Sequence, residues 1–154
     1  MSRVQLALNV NDLNESIAFY SKLFGTAPAK VRDGYANFAV TEPPLKLILM
    51  ENPGRGGSIN HLGVEVEDVE VVDAEQTRLA ESGLASVDER ESTCCYATQN
   101  KFWVQGTPDG ERWEIYTVLA DSATFAGEPE QGSVCCGTDL TGADESKVDA
   151  VRCC

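Results

Sequence analysis

The chain has 154 residues, of which 42% are hydrophobic and 7% aromatic, enough apolar matter for one compact domain or two small fused modules. Its formal charge of −13 argues against a phosphate backbone, and so against nucleic acid, as a partner. No apolar run approaches the roughly 20 residues that span a bilayer, and Met1-Ser2-Arg3 leads straight into an alternating segment, not a signal-peptide core, so a cytoplasmic protein with no membrane partner is expected.

Residues 3–10 alternate, with Val4, Leu6, Leu8 and Val10 on one face and Gln5, Ala7 and Asn9 on the other, the pattern of a half-buried strand. Asp12 with Glu15 three residues on forms a capping-box-like start for a helix. Leu13, Ile17, Tyr20 and Phe24 make its apolar stripe, and Gly25 stops it. Residues 28–40 read as two strands meeting at Asp33-Gly34, and Leu45 to Met50 as another beyond Pro43-Pro44. This βαβββ order occupies 1–51, and the Gly- and Pro-rich stretch Asn52 to Gly57 is a linker.

The order then repeats over 58–119. A strand at 59–66 precedes a helix at about 69–82, with Val69, Val72 and Leu79 inward. Strands near 84–88, 96–104 and 111–119 follow, the last two joined at Pro108-Asp109-Gly110. The polar stretch Asp88 to Thr93 reads as a mobile loop. Residues 120–154 carry a net charge of −5 and few large apolar residues, which predicts a mobile acidic tail.

Six cysteines occur as three adjacent pairs, Cys94-Cys95, Cys135-Cys136 and Cys153-Cys154. Neighbouring cysteines are poorly placed for ordinary disulfides, and none has the C-x2-C spacing of a structural zinc site. Paired thiols suit a soft, thiophilic ion or compound; a redox role is the alternative. The tail pairs read as accessory scavenging thiols, or as dispensable ones.

His61 is the only histidine. Its segment Asn60-His61-Leu62-Gly63-Val64-Glu65-Val66 aligns with Val4-Gln5-Leu6-Ala7-Leu8-Asn9-Val10 at an offset of 56 residues, pairing Gln5 with His61. A strand packed under a helix leaves its other face free to line a cavity. Gln5 and His61 stand on those free faces, and the last strand places Glu114 and Tyr116 on the same surface. Leu47 is the expected counterpart of Glu114. An imidazole, a carboxylate and an amide oxygen resemble a facial triad with open positions, which suits Fe(II), with Mn(II), Co(II) or Ni(II) as substitutes. Each also has a structural alternative as a hydrogen-bonded or solvated strand residue.

Paired βαβββ modules with ligands on first and last strands resemble the vicinal oxygen chelate superfamily, whose members include glyoxalase I, bleomycin-resistance proteins and extradiol dioxygenases. Closer still, Val4 to Val10, Tyr35-Ala36-Asn37-Phe38-Ala39, Asn60 to Val66, Thr93-Cys94-Cys95-Tyr96-Ala97 and Gly110 to Leu119 resemble the bacterial carbon–arsenic lyases, which share sequence with proteins called cadmium-induced.

The resemblance implies an α+β fold, two tandem βαβββ modules forming a cupped mixed sheet around a metal site. It implies a non-heme Fe(II)-dependent enzyme that uses O2 to cleave the carbon–arsenic bond of trivalent organoarsenicals. Gln5, His61 and Glu114 match the family's metal ligands, and Cys94 and Cys95 its substrate-binding pair. Tyr96, Phe102, Trp103 and Tyr116 are candidate pocket walls. The expected cycle has the Cys94-Cys95 loop capture arsenic while open and swing it over the metal. Two rivals stand beside this: a thiol-based Cd(II) or As(III) sequestering protein without turnover, and a ring-cleaving dioxygenase of the same fold. Two modules complete a site within one chain, so monomer and homodimer both remain open.

Overall fold

A computed structural model of the chain describes residues 2–126; Cys135, Cys136, Cys153 and Cys154, with the accessory role expected of them, lie outside the described residues. The element order is β1 (Arg3–Val10), α1 (Leu13–Phe24), β2 (Lys30–Arg32), β3 (Tyr35–Val40), β4 (Leu45–Glu51), β5 (Ile59–Glu65), α2 (Val69–Glu81), β6 (Ser86–Cys94), β7 (Ala97–Val104) and β8 (Trp113–Asp121). The α+β expectation of two βαβββ modules holds. Among the described residues no helix is long and apolar enough to cross a membrane.

Both helices start where their caps dictate. Asp12 is extended and its side chain accepts from the Glu15 N–H, and Asp68 does the same for Val71, each satisfying a donor that the first helical turn leaves orphaned. Gly25 ends α1 at φ 63, a left-handed position that glycine takes without steric cost.

All eight strands form one mixed sheet in the order β2-β3-β4-β1-β5-β8-β7-β6. The modules meet where β1 pairs antiparallel with β5, and each first strand pairs parallel with the last strand of its own module, β1 with β4 and β5 with β8. Two cores lie under the helices. Leu47, Leu49, Phe38 and Ala36 pack with Leu13, Ile17 and Tyr20 of α1. Phe102, Ile115 and Val66 pack with Val72 and Leu79 of α2. Side chains of this size contribute about 1.5–3 kcal/mol each when fully buried.

The opposite face of the sheet is curled on itself. There Ala7, Tyr35, Ile48, Met50, Cys94 and Cys95 form a third cluster, with Tyr96 and Phe125 against it. The edges of the two modules are tied by Lys30, whose Nζ donates to the Tyr96 carbonyl and to Asp121. The curl reverses the simplest reading of strand β1. Its polar set is the more enclosed one, with Gln5, Ala7 and Asn9 buried while Leu6 and Leu8 stay half-buried beneath α1.

Four expectations need correction. Asp88 to Thr93 is not a mobile loop but part of β6, in register with β7 from Ser86 opposite Val104 to Cys94 opposite Ala97. An edge strand tolerates outward charges, and these mask its strand pattern. The counterpart of Glu114 is Ile48, not Leu47. Gly63 pairs with Glu114 in β8 and its repeat equivalent Ala7 pairs with Ile48 in β4, so Ile48 occupies the cup position and Leu47 faces α1. A slip of one residue exchanges faces, and an apolar residue still leaves that quarter without a donor. Phe102, expected at the pocket wall, points the other way into the α2 core. At the C-terminal end, the boundary placed at 119 falls inside β8, Ala126 bridges to Cys94, and Phe125 packs on Tyr35 and Tyr96.

Candidate metal and thiol site

Gln5, His61 and Glu114 converge on the floor of the cup, each 3% exposed or less. The Gln5 amide Nε2 donates to Glu114 Oε1 at 2.7 Å and stands 3.0 Å from His61 Nε2, and His61 Nε2 lies 3.4 Å from Glu114 Oε1. A first-row metal binds N and O donors at about 2.1 Å, so adjacent octahedral donors lie about 3 Å apart. The His61 Nε2 to Glu114 Oε1 separation fits two donors on one centre, and the Gln5 amide joins them once its oxygen, not its NH2, faces the site. Gly63 makes the room: a Cβ there would stand 3.0 Å from Glu114 Cγ and 3.3 Å from Gln5 Nε2. Gly63→Ala is expected to weaken metal binding about tenfold or more with little change in melting temperature, read by chelator competition.

The surroundings orient each candidate ligand. Asn60 Oδ1 accepts from His61 Nδ1 at 2.8 Å, since an amide oxygen only accepts, and this leaves Nε2 as the lone-pair atom facing the site. Asn60 Nδ2 in turn donates to Asn9 Oδ1, which fixes the amide's direction.

Lys101, which the sequence reading passed over, is 1% exposed and pairs with Glu114 Oε2 at 3.1 Å and Glu89 at 3.3 Å. Burial alone would lower the Lys101 ammonium, but the charges of Glu114 and Glu89 outweigh it and hold it raised. Burial would likewise raise the Glu114 carboxyl, and Lys101 and His61 together outweigh it and hold that group well below the usual carboxylate range. Lys101 thus neutralises one carboxylate oxygen and leaves the other to the site. Its only sequence signal was a lysine standing among Gln99 and Trp103 on the cup face of β7.

A sign for pH follows. Glu114 is depressed in the folded chain, so its contribution is present in full above its ordinary value of 4.5 and is lost as pH falls below it. Chemical denaturation should therefore show stability declining below that pH, and Glu114→Gln should flatten the decline.

Cys94 and Cys95 sit at the corner between β6 and β7. Cys95 and Tyr96 are the two central residues of that turn, at φ 56 and 61. Both being left-handed is the hairpin geometry usually left to Asn and Gly, so packing against Tyr35 and Phe125 holds the corner. The expected swinging loop is thus a paired, packed hairpin tip. The two sulfurs are 3.2 Å apart, well beyond the roughly 2.05 Å of an S–S bond. Cys95 is a free thiol, pushed up to about 12 by burial and then by the charge of Glu114. Cys94 is disulfide-bonded, so two-point capture starts from its reduced form. Ala7, opposite His61 in the β1–β5 ladder, packs in the same cluster as both cysteines, which places thiols and candidate ligands on one concave face.

Of the remaining candidates, Trp103 meets the His61 ring edge-on with centroids 5.6 Å apart, and Tyr96 covers the cysteines with Phe125. Tyr116 is buried, with its hydroxyl hydrogen-bonded to Gln5 Oε1. An open cavity of about 790 Å³ lies beside this cover, lined by Asn9, Met50, Arg55, Asn60, Tyr96 and Phe125 among others.

The model of the glyoxalase/bleomycin resistance protein/dioxygenase superfamily matches residues 3–115. The chain belongs to that superfamily. It is 59% identical over 143 residues to "Cadmium-induced protein CadI" of Mycobacterium tuberculosis, covering 88% of this chain and 93% of that one. It is 56% identical over 155 residues to "Trivalent organoarsenical cleaving enzyme" of Thermomonospora curvata, covering all of both chains. Among solved structures, an extradiol ring-cleaving dioxygenase from B. fuscum superposes with a TM-score of 0.57 at 19% identity, over 77% of this chain and 33% of that one. The Mn(II)-bound glyoxalase of Novosphingobium aromaticivorans gives 0.56 at 21%, over 80% and 42%. These two likenesses establish the fold of the superfamily member and nothing finer.

Proposed function

We propose that this protein is a cytoplasmic enzyme that cleaves the carbon–arsenic bond of trivalent organoarsenicals, such as methylarsonous acid or reduced aromatic arsenicals, to arsenite, with Fe(II) as metal and O2 as co-substrate, in arsenic detoxification. The observation that carries the reading is the sharing of one concave face by a vicinal cysteine pair and the Gln5, His61 and Glu114 donors. Full-length identity of 56% to a relative named for organoarsenical cleavage supports it.

Gln5, His61 and Glu114 would hold the metal. Bound there, Fe(II) supplies the redox centre for O2 chemistry. Ni(II), Co(II) or Mn(II) are expected substitutes in preparations. Cys94 and Cys95 hold the substrate. Each thiol displaces one hydroxyl of the arsenic, so that an As–O bond breaks, an As–S bond forms, and the thiol proton leaves with the hydroxyl as water. Neutral thiols suffice, which suits a Cys95 thiol that burial keeps protonated. Two-point attachment leaves the As–C bond as the one free direction, and the packed hairpin fixes where that bond points. Trp103 and Tyr96 shield this space from water.

The test is anaerobic loading with Fe(II), followed by O2 and methylarsonous acid, with arsenic speciation. Arsenite release that requires both Fe(II) and O2 is expected; tight arsenical binding without release would instead favour a sequestering protein. Removal of residues 127–154, which keeps the Phe125 and Ala126 contacts, is expected to leave turnover largely intact, since the proposed metal donors and the Cys94-Cys95 pair all precede it in the chain. Loss of turnover in that truncation would assign the tail thiols a catalytic part.

A further inference from the structure

We infer that the Gln5 amide is a two-position element, and that Tyr116, anchored by Glu65, is the positioning residue that turns its carbonyl oxygen towards the cation. The inference rests on the metal reading above and concerns how this chain makes a neutral amide into a ligand.

The case is one of counting protons. The Tyr116 hydroxyl has a single hydrogen but lies against two acceptors, Gln5 Oε1 at 2.5 Å and Glu65 Oε2 at 2.9 Å. Glu65 is fastened as an anion. Its Oε1 takes Arg3 Nη2 at 2.7 Å and Nε at 3.1 Å, and its Oε2 takes Lys46 Nζ at 2.8 Å. The same ammonium lies 4.9 Å over the Tyr116 ring. A charged acceptor binds a hydroxyl proton more strongly than a neutral amide oxygen does. With the proton on the Glu65 side, Tyr116 Oη becomes an acceptor, and the Gln5 group that complements it is the NH2, not the carbonyl.

Half a turn of the amide supplies that match. Nε2 then donates to Tyr116 Oη, and Oε1 faces His61 Nε2 and Glu114 Oε1. Without a cation this turn is opposed: it breaks the 2.7 Å bond from Nε2 to Glu114 and sets a carbonyl oxygen against a buried carboxylate. With a cation between them, the oxygen becomes a donor to the metal and the NH2 keeps a partner. Tyr116 and Glu65 therefore give the liganding orientation the hydrogen bond that the metal-free orientation draws from Glu114. Phenylalanine at 116 has no atom for this.

Co(II) is the probe, and its affinity is measured by chelator competition with the visible spectrum of the bound ion. The cycle uses the full chain, Tyr116→Phe, Gln5→Ala and the double variant, with melting temperatures to confirm folding. Tyr116→Phe is expected to weaken Co(II) about tenfold or more beside Gln5 and to add nothing in the Gln5→Ala background. Glu65→Gln, whose amide need not take the tyrosine proton, is expected to follow the same pattern, and it replaces Tyr116→Phe if that variant fails to fold. Equal weakening in both backgrounds, or none in either, overturns the inference and leaves the metal reading standing. A full chain that binds no Co(II) overturns both.

Discussion

Glu114→Ala is expected to lose metal binding and turnover altogether, and to lower stability by about 3 kcal/mol at neutral pH. Both effects follow from one carboxylate with two duties. Oε1 faces Gln5 and His61, and its loss leaves two neutral donors for a divalent cation. Oε2 is the nearer partner of Lys101, an ammonium 1% exposed, and its loss strands that charge with Glu89 alone. The two duties separate experimentally. His61→Ala should match Glu114→Ala in metal loss, because it also removes a proposed ligand, yet leave Lys101 paired. A Glu114→Ala protein as stable as the parent would mean that the Lys101 pair contributes nothing to the fold. A Glu114→Ala protein that still binds Fe(II) tightly would place the metal elsewhere.

Replacing Cys95 by Ser is expected to cut turnover on the order of 100-fold or more while Fe(II) binding stays unchanged. The reason is geometric. One remaining thiol attaches arsenic at a single point, so the As–C bond is free to rotate out of line. Serine preserves volume, but an alkoxyl lacks the soft donor character that arsenic prefers. Fe(II) affinity should not move, since neither sulfur is among the three donors on the cup floor. Cys94→Ser is expected to behave alike once both proteins are fully reduced. Turnover that survives either change would sink two-point capture. A simultaneous loss of Fe(II) would show that a cysteine is itself a ligand.

The repeat was the most legible part of the chain. A 56-residue offset made Gln5 and His61 equivalent, and alternation told which side chains share a face with them. The cap at Asp12 marked the first helix start, because capping is chemistry between residues three apart, and the structure adds the matching cap at Asp68. The register of Leu47 and Ile48 was not legible. Faces alternate every residue, and only the pairing of β1 with β4 decides which of the two looks into the cup. The status of Asp88 to Thr93 was hidden too, since an edge strand shows its charges outward and carries little hydrophobic period. Phe102 was misplaced for a related reason: an aromatic in a strand reads alike whether it faces a helix or a cavity.

What the sequence determined by itself is local and periodic: two βαβββ modules, the helix boundaries, the vicinal thiols, and a polar residue repeated at the same strand position. What only the tertiary structure decided is how those pieces face one another. The curl of the sheet made the polar face of β1 its most buried one. It brought Lys101 to Glu114 and Tyr116 to Gln5, the latter pair 111 residues apart. No spacing encodes such contacts, because they depend on the order and twist of eight strands. The types of the proposed ligands are therefore written in the chain, while their orientation and charge balance come from partners that the fold alone selects.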